Sequence, residues 1–112
     1  MNLVEYDVFS SVEMRSGTIV RVEAFPEAPK PAYKVWVDFG PDFGVRQTSA
    51  QVTVHYTQEQ LMNRQVMGVL NLGTKRIAGF KTEFLLVGFP DEAGTVCLVG
   101  AREVVPNGAK LF

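Results

Sequence analysis

The stretch Thr57-Gln58-Glu59-Gln60 stands between two groups of short apolar strands, and its reading decides the fold. The spacing is that of a capping box. The Thr57 hydroxyl accepts from a first-turn amide while the Gln60 side chain reaches back, so a short helix is predicted to run to about Asn63. Upstream, Tyr33-Lys-Val-Trp-Val-Asp-Phe39 alternates cleanly, with Tyr33, Val35, Val37 and Phe39 on one face and Lys34, Trp36 and Asp38 on the other. Met14 to Phe25 is a strand interrupted by Gly17, which predicts a bulge or sharp bend. Gly40-Pro-Asp-Phe-Gly44 is a hairpin turn, and Val45 to Thr53 is a third, more polar strand. Downstream lie Val66–Leu72, Phe84–Phe89 and Thr95–Ala101, the last two joined by a turn at Pro90–Gly94. Glu5–Val12 is a further short helix with Tyr6 and Phe9 on one side.

Three strands, one helix and then two strands is the order of an OB-fold, an all-β, five-stranded barrel with its helix between strands three and four. Short extensions remain at both ends. A small β-sandwich is the other architecture such strands permit, and the position of the helix favours the barrel. The 112 residues suffice for a single domain, 1–112, and its 46% hydrophobic content is that of a globular chain. No apolar run is long enough to span a bilayer, and acidic residues near Met1 do not fit a signal peptide. The expectation is a complete, cytoplasmic protein without membrane insertion.

Chemistry is sparsely provisioned. Cys97 is the only cysteine and His55 the only histidine, so no internal disulfide and no His/Cys zinc site of the usual composition is expected. A thiol–imidazole nucleophile pair is conceivable, but Val96-Cys-Leu-Val99 reads as a buried strand in which Cys97 is a small hydrophobe. There is no phosphate loop, no dinucleotide fingerprint and no placed acid/base pair. The expectation is a protein that is not an enzyme and takes no cofactor or metal.

Charge is more informative in its distribution than in its sum. The chain carries a net −1, yet Lys30 to Lys81 holds seven basic and three acidic residues, and the remainder four basic and nine acidic. The densest part is Asn71-Leu-Gly-Thr-Lys-Arg-Ile-Ala-Gly-Phe-Lys-Thr-Glu83, read as an exposed connection between two buried strands. A cationic loop on a rigid scaffold suits phosphate-backbone contact, which makes Lys75, Arg76 and Lys81 the leading candidates. Lys30, Lys34 and Arg46 are expected to extend the track through the sheet. Ser49, Gln51 and Asn71 offer polar groups for bases, 2′-hydroxyls or phosphates, or alternatively for a peptide main chain. Asn71 is also expected to tether the following loop. Trp36 and Phe80 are candidates for stacking a base or seating an apolar peptide side chain, and Trp36 also for filling a dimer interface. The structural alternatives are cover of Trp36 by the N-terminal segment and a loop-anchoring role for Phe80. The apolar tail ending in Leu111-Phe112 is expected to be packed, across a two-fold interface or otherwise.

Arg15-Ser-Gly-Thr-Ile19, Phe25-Pro-Glu-Ala-Pro-Lys-Pro-Ala-Tyr-Lys34, Asp38-Phe-Gly40 with Thr48-Ser-Ala-Gln51, Asn71 through Glu83, and Val105-Pro-Asn-Gly108 together resemble the tRNA-binding domain family, most closely its bacterial CsaA branch. Gly73-Thr74 departs from that branch, whose loop is proline-rich there, and Thr82 stands where serine is usual. The resemblance implies an OB-fold homodimer that binds tRNA by its folded shape. For the CsaA branch it also implies chaperone-like binding of unfolded or exported polypeptides.

Overall fold

Val35, Val37 and Phe39, the inward half of the alternating strand, are completely buried and sit at the centre of the core with Ile19, Leu61 and Val66. The computed structural model describes Met1–Phe112. After helix α1 (Tyr6–Ser11) come strands β1 (Met14–Ala24), β2 (Tyr33–Asp38) and β3 (Val45–Ala50), then helix α2 (Gln58–Leu61) and β4 (Gln65–Val69). Five short strands follow: β5 (Lys75–Ile77), β6 (Phe80–Thr82), β7 (Leu85–Leu86), β8 (Gly88–Pro90) and β9 (Val96–Leu98). The main sheet has the order β3-β2-β1-β4-β7, antiparallel throughout.

The sheet curls until residues 81–84 meet its far edge. The Glu83 amide donates to the Gln47 carbonyl at 2.9 Å, and the Gln47 amide donates to the Glu83 carboxylate at 3.1 Å. The Gln47 side chain donates to the Lys81 carbonyl at 2.9 Å, and the buried Thr48 hydroxyl donates to the Phe84 carbonyl at 2.7 Å. The result is a nearly closed, five-stranded OB-like barrel, as the element order predicts. The capping box is fully formed: Thr57 Oγ1 accepts from the Gln60 amide and Gln60 Oε1 from the Thr57 amide. Leu61, on that helix, plugs the barrel with no exposed surface.

Three expectations need correction. The irregularity in β1 falls between Ile19 and Arg21, not at Gly17. Gly17 instead admits the core, because a Cβ there would come within 2.5 Å of Val37 and 2.8 Å of Phe39. The run Phe84–Phe89 is two strands, since the chain stays on β4 through Val87, whose amide donates to the Met67 carbonyl, and then pairs as β8 with β9. The connection Asn71–Glu83 is largely a hairpin, β5–β6, turned by Ala78 (φ 46°) and Gly79 (φ 80°). Positive φ at both central residues gives the turn the hand that matches strand twist. The C-terminal tail is tied to its own chain through residues 108–111, while Phe112 at its end is exposed. Leu111 and Gly108 bond to Met14 and Ser16, and a bridge joins Arg15 with Lys110.

The tail is also held by charge. Glu13 accepts from Arg15 Nη2 at 2.6 Å and from Lys110 Nζ at 3.3 Å, and Lys110 donates to the Ser10 carbonyl. The Arg15 hydrogen bond, followed by that of Lys110, holds the Glu13 carboxyl below its ordinary value of 4.5. A depressed folded-state pKa gives stabilisation that is complete above the unfolded value and lost as pH falls through the folded one. Glu13→Gln is therefore expected to lower the thermal midpoint at pH 7. The gap to the parent should shrink below about pH 4.5 and close once the parent carboxylate is protonated, as thermal melts across pH would show.

Candidate nucleic-acid interface

The hairpin β5–β6 has two unlike faces. Cross-strand partners share a face, so Thr82 with Lys75 and Phe80 with Ile77 lie on one, and Arg76 with Lys81 on the other. The first face is turned inward: Thr82 is buried, with its hydroxyl on the Lys75 carbonyl at 2.9 Å, and Ile77 and Phe80 are half-buried. Arg76 and Lys81 consequently project together into solvent, with Arg76 Nη1 donating to the Gly79 carbonyl at 3.2 Å.

Phe80 fixes the hairpin to the sheet. Its ring packs edge-on against Phe25 (5.5 Å between centroids) and Trp36 (5.8 Å). Lys34 Nζ lies 5.0 Å from the centroids of both Phe25 and Phe80, and the Arg21 guanidinium lies 4.4 Å over Trp36. Such cation–aromatic contacts hold positive charge at the surface, and Lys34 has no carboxylate partner there while Arg21 is also paired with Glu23. Phe80 is thus an anchor, and the cover the structure gives Trp36 is Phe80 and Arg21.

Beside the hairpin runs a groove of about 780 Å³ between the 28–32 segment and residues 72–77. Lys30, Ser49, Gln51 and Lys75 border it, above an apolar floor that includes Val52 and Leu86. Ser49 opposes Lys34 across β2–β3, so groove and sheet face adjoin. Of the candidates read from sequence, Lys30, Ser49, Gln51 and Lys75 share the groove. Arg76, Lys81, Lys34, Trp36 and Phe80 belong to the hairpin and the face beneath it. Arg46 lies elsewhere, on the side of β3 that carries Thr48 and Ala50, with its guanidinium 3.4 Å from the Leu70 carbonyl and 5.9 Å from the Phe43 ring. Asn71 is a tether, as expected, but to the N-terminal segment: its carbonyl accepts from the Glu13 amide at 2.9 Å and its amide donates to the Ser11 carbonyl at 2.8 Å.

None of Lys30, Lys34, Arg46, Lys75, Arg76 or Lys81 is paired with a carboxylate. The four ion pairs are Glu13 with Arg15 and with Lys110, Arg21 with Glu23, and His55 with Asp91. Glu83, the nearest acid in sequence, has its carboxylate on the Gln47 amide. Arg21 was missed by the sequence reading because only the bulge after Ile19 sets it opposite Trp36, where an unbroken register would put Val20.

This geometry suits an anionic polymer, and relatives point the same way. Residues 14–110 match the family model "Putative tRNA binding domain". The chain belongs to the tRNA-binding domain family. It is 34% identical over 111 residues to the methionine–tRNA ligase of Pyrococcus furiosus, covering 99% of this chain but 15% of that enzyme. The chain therefore spans only a small part of the curated relatives it matches. The chaperone CsaA from Bacillus anthracis superimposes with a TM-score of 0.92 at 39% identity, covering 99% of this chain and 100% of that one. The CsaA chaperone of Picrophilus torridus gives 0.90 at 36%, covering 98% and 100%. In this family the matched unit is a binding module, non-catalytic in itself, although the ligases that carry it are enzymes. No helix is long and apolar enough to cross a membrane.

Anchoring by Phe80 can be read directly, because Trp36 is the only tryptophan. Phe80→Ala is expected to shift Trp36 emission to longer wavelength and to cost about 2 kcal/mol in chemical denaturation, less than a fully buried Phe because the ring is half-exposed.

Proposed function

We propose that this chain is a tRNA-binding protein that recognises folded tRNA by shape and phosphate backbone, without catalysis and without a cofactor. Arg76 and Lys81, projecting together from an anchored hairpin, contact sugar-phosphate. Lys75, Lys30 and Lys34 continue the track, and Ser49 and Gln51 supply hydrogen bonds along the groove. Arg46 and Asn71, engaged elsewhere, act on the barrel rather than on the ligand. The observation that carries this reading is that every cation of the hairpin and groove is free of a carboxylate partner. Phosphate contact therefore requires no ion pair to be broken.

The active form in this reading is a cytoplasmic homodimer. Its support is the exposure of the apolar residues Leu3, Val4, Tyr6 and Val8 in the N-terminal segment and Phe112 at the end of the tail, two segments that the Lys110 ammonium joins at Ser10. Two copies of the track, related by a two-fold axis, span two backbone segments and select a spacing rather than a base sequence.

A second reading has its own support. The groove floor is apolar, and Leu72 and Leu85 at its edge are more than half exposed. Together with the likeness to CsaA chaperones, this favours binding of unfolded or exported polypeptide. The groove would seat the side chains, since Trp36 and Phe80 are occupied with each other. Peptide binding of that kind persists in salt and carries a negative heat-capacity change.

The decisive experiment is a tRNA titration at several salt concentrations with Arg76→Ala/Lys81→Ala. Losing two phosphate contacts should weaken binding at least about tenfold near 0.1 M salt and flatten the log–log salt slope by about 1.5. Arg102→Ala, outside the track, should leave both unchanged. An unaltered slope in the double variant would remove the hairpin from the interface.

A further inference from the structure

His55 and Cys97 lie 42 positions apart, and the fold brings them together with Asp91. His55 Nε2, an Asp91 carboxylate oxygen and Cys97 Sγ all fall within 4.8 Å of one another. The reading that no metal site was available counted only the cysteine and the histidine. The β8–β9 hairpin supplies the third ligand.

Each ligand sits on anchored backbone. Asp91 Oδ1 accepts from the Ala93 and Thr95 amides, both at 2.9 Å, which turns Oδ2 toward His55 Nε2 at 2.7 Å. Carboxylates oriented in this way by second contacts make better ligands than free ones. Tyr56, next to His55, accepts from the Leu98 amide, next to Cys97, at 2.8 Å, and its carbonyl accepts from the Tyr33 hydroxyl at 2.9 Å. That pair of bonds sets the register that puts imidazole beside thiol. Cys97 Sγ makes one weak contact, 3.9 Å from the Thr95 carbonyl, and is otherwise uncommitted.

We propose that His55, Asp91 and Cys97 form a binding site for a divalent ion of the zinc class, with the fourth position open to solvent. An imidazole nitrogen, a carboxylate oxygen and a thiolate sulfur are zinc ligands, and the sulfur disfavours magnesium and calcium. Bond lengths of about 2.0 Å to nitrogen and oxygen and about 2.3 Å to sulfur put tetrahedral ligand atoms about 3.3 to 3.5 Å apart. Side-chain rotations of about an ångström achieve this from the observed positions. The ion takes the place of the proton shared by His55 Nε2 and Asp91, the neutral imidazole then carrying its one proton on Nδ1, and the thiol proton of Cys97 leaves to solvent as the sulfur–metal bond forms. His55 and Asp91 side chains are 42% and 33% exposed, so an ion has a direct path in. The consequence is a clasp between the β3–α2 connection and the β8–β9 hairpin. The inference does not depend on RNA binding.

Cobalt(II) is the probe, because a thiolate ligand gives it a near-ultraviolet charge-transfer band. Titration of the reduced protein at neutral pH should develop that band to saturation at one equivalent, and zinc should abolish it. Cys97→Ser should lack the band. His55→Ala and Asp91→Asn should each bind cobalt at least about tenfold more weakly. Zinc should raise the thermal midpoint of the parent and not that of His55→Ala, whose altered side chain is exposed and leaves the fold intact. No thiolate band at millimolar cobalt, or unchanged affinity in His55→Ala, would overturn the proposal.

Discussion

The seam between β3 and residues 81–84 is the constraint on which the rest of the structure depends. Without it the five strands are an open sheet with an exposed edge on β3, a surface prone to pairing with other chains. Its backbone and side-chain bonds join segments more than thirty residues apart in sequence. The Thr48 hydroxyl is the costliest to lose, because it satisfies the buried-side carbonyl of Phe84. The seam also fixes the base of the β5–β6 hairpin. The same contacts that close the barrel therefore decide where Arg76 and Lys81 stand, and folding and the proposed binding share one piece of geometry.

Around that seam, aromatic packing and charge act together. The rings of Phe25, Trp36 and Phe80 form a platform, and Lys34 and Arg21 lie against it at cation–aromatic distance. Lys34 held this way stays available to an incoming phosphate, whereas Arg21 also carries Glu23 as a carboxylate partner that would have to be displaced. The net charge of −1 is therefore a poor guide to this surface. The acids sit mainly outside the Lys30–Lys81 window, and none pairs with the hairpin or groove cations. Long-range attraction should be weak and short-range contact strong, a balance suited to selecting a shaped polyanion over bulk nucleic acid.

Those parts of the fold written in local patterns were legible. The Tyr33–Phe39 alternation gave the core face of β2 correctly, and the capping box at Thr57 formed both its bonds. Parts that depend on partner choice were not. Phe84–Phe89 has no polar break, and the one local mark beside Val87, where one strand partner is exchanged for another, is Gly88, which lets Val96 and the Cys97 backbone approach closely. The hairpin was hidden by its turn, since Ala78 occupies a left-handed position where Asn or Gly is the usual signal. The candidate site divides in the same way. Lys75, Arg76 and Lys81 are adjacent enough in sequence to be grouped by eye, while Arg21 required knowledge of a bulge. Arg46 could not be separated from Lys34 without the inward or outward sense of β3. The proximity of His55 to Cys97 is a tertiary fact with no sequence signature.

The central claim is that barrel closure positions the basic hairpin, and a charge-neutral lesion of the seam tests it most directly. Gln47→Ala/Thr48→Val removes the side-chain bonds to Lys81 and Phe84 and leaves every cation in place. The measurement is a tRNA titration of this variant at two salt concentrations, within the temperature range where it remains folded. The account predicts affinity reduced about tenfold with the salt slope preserved, because the same phosphates are met by a hairpin that must first be ordered. Parental affinity in the variant would contradict it.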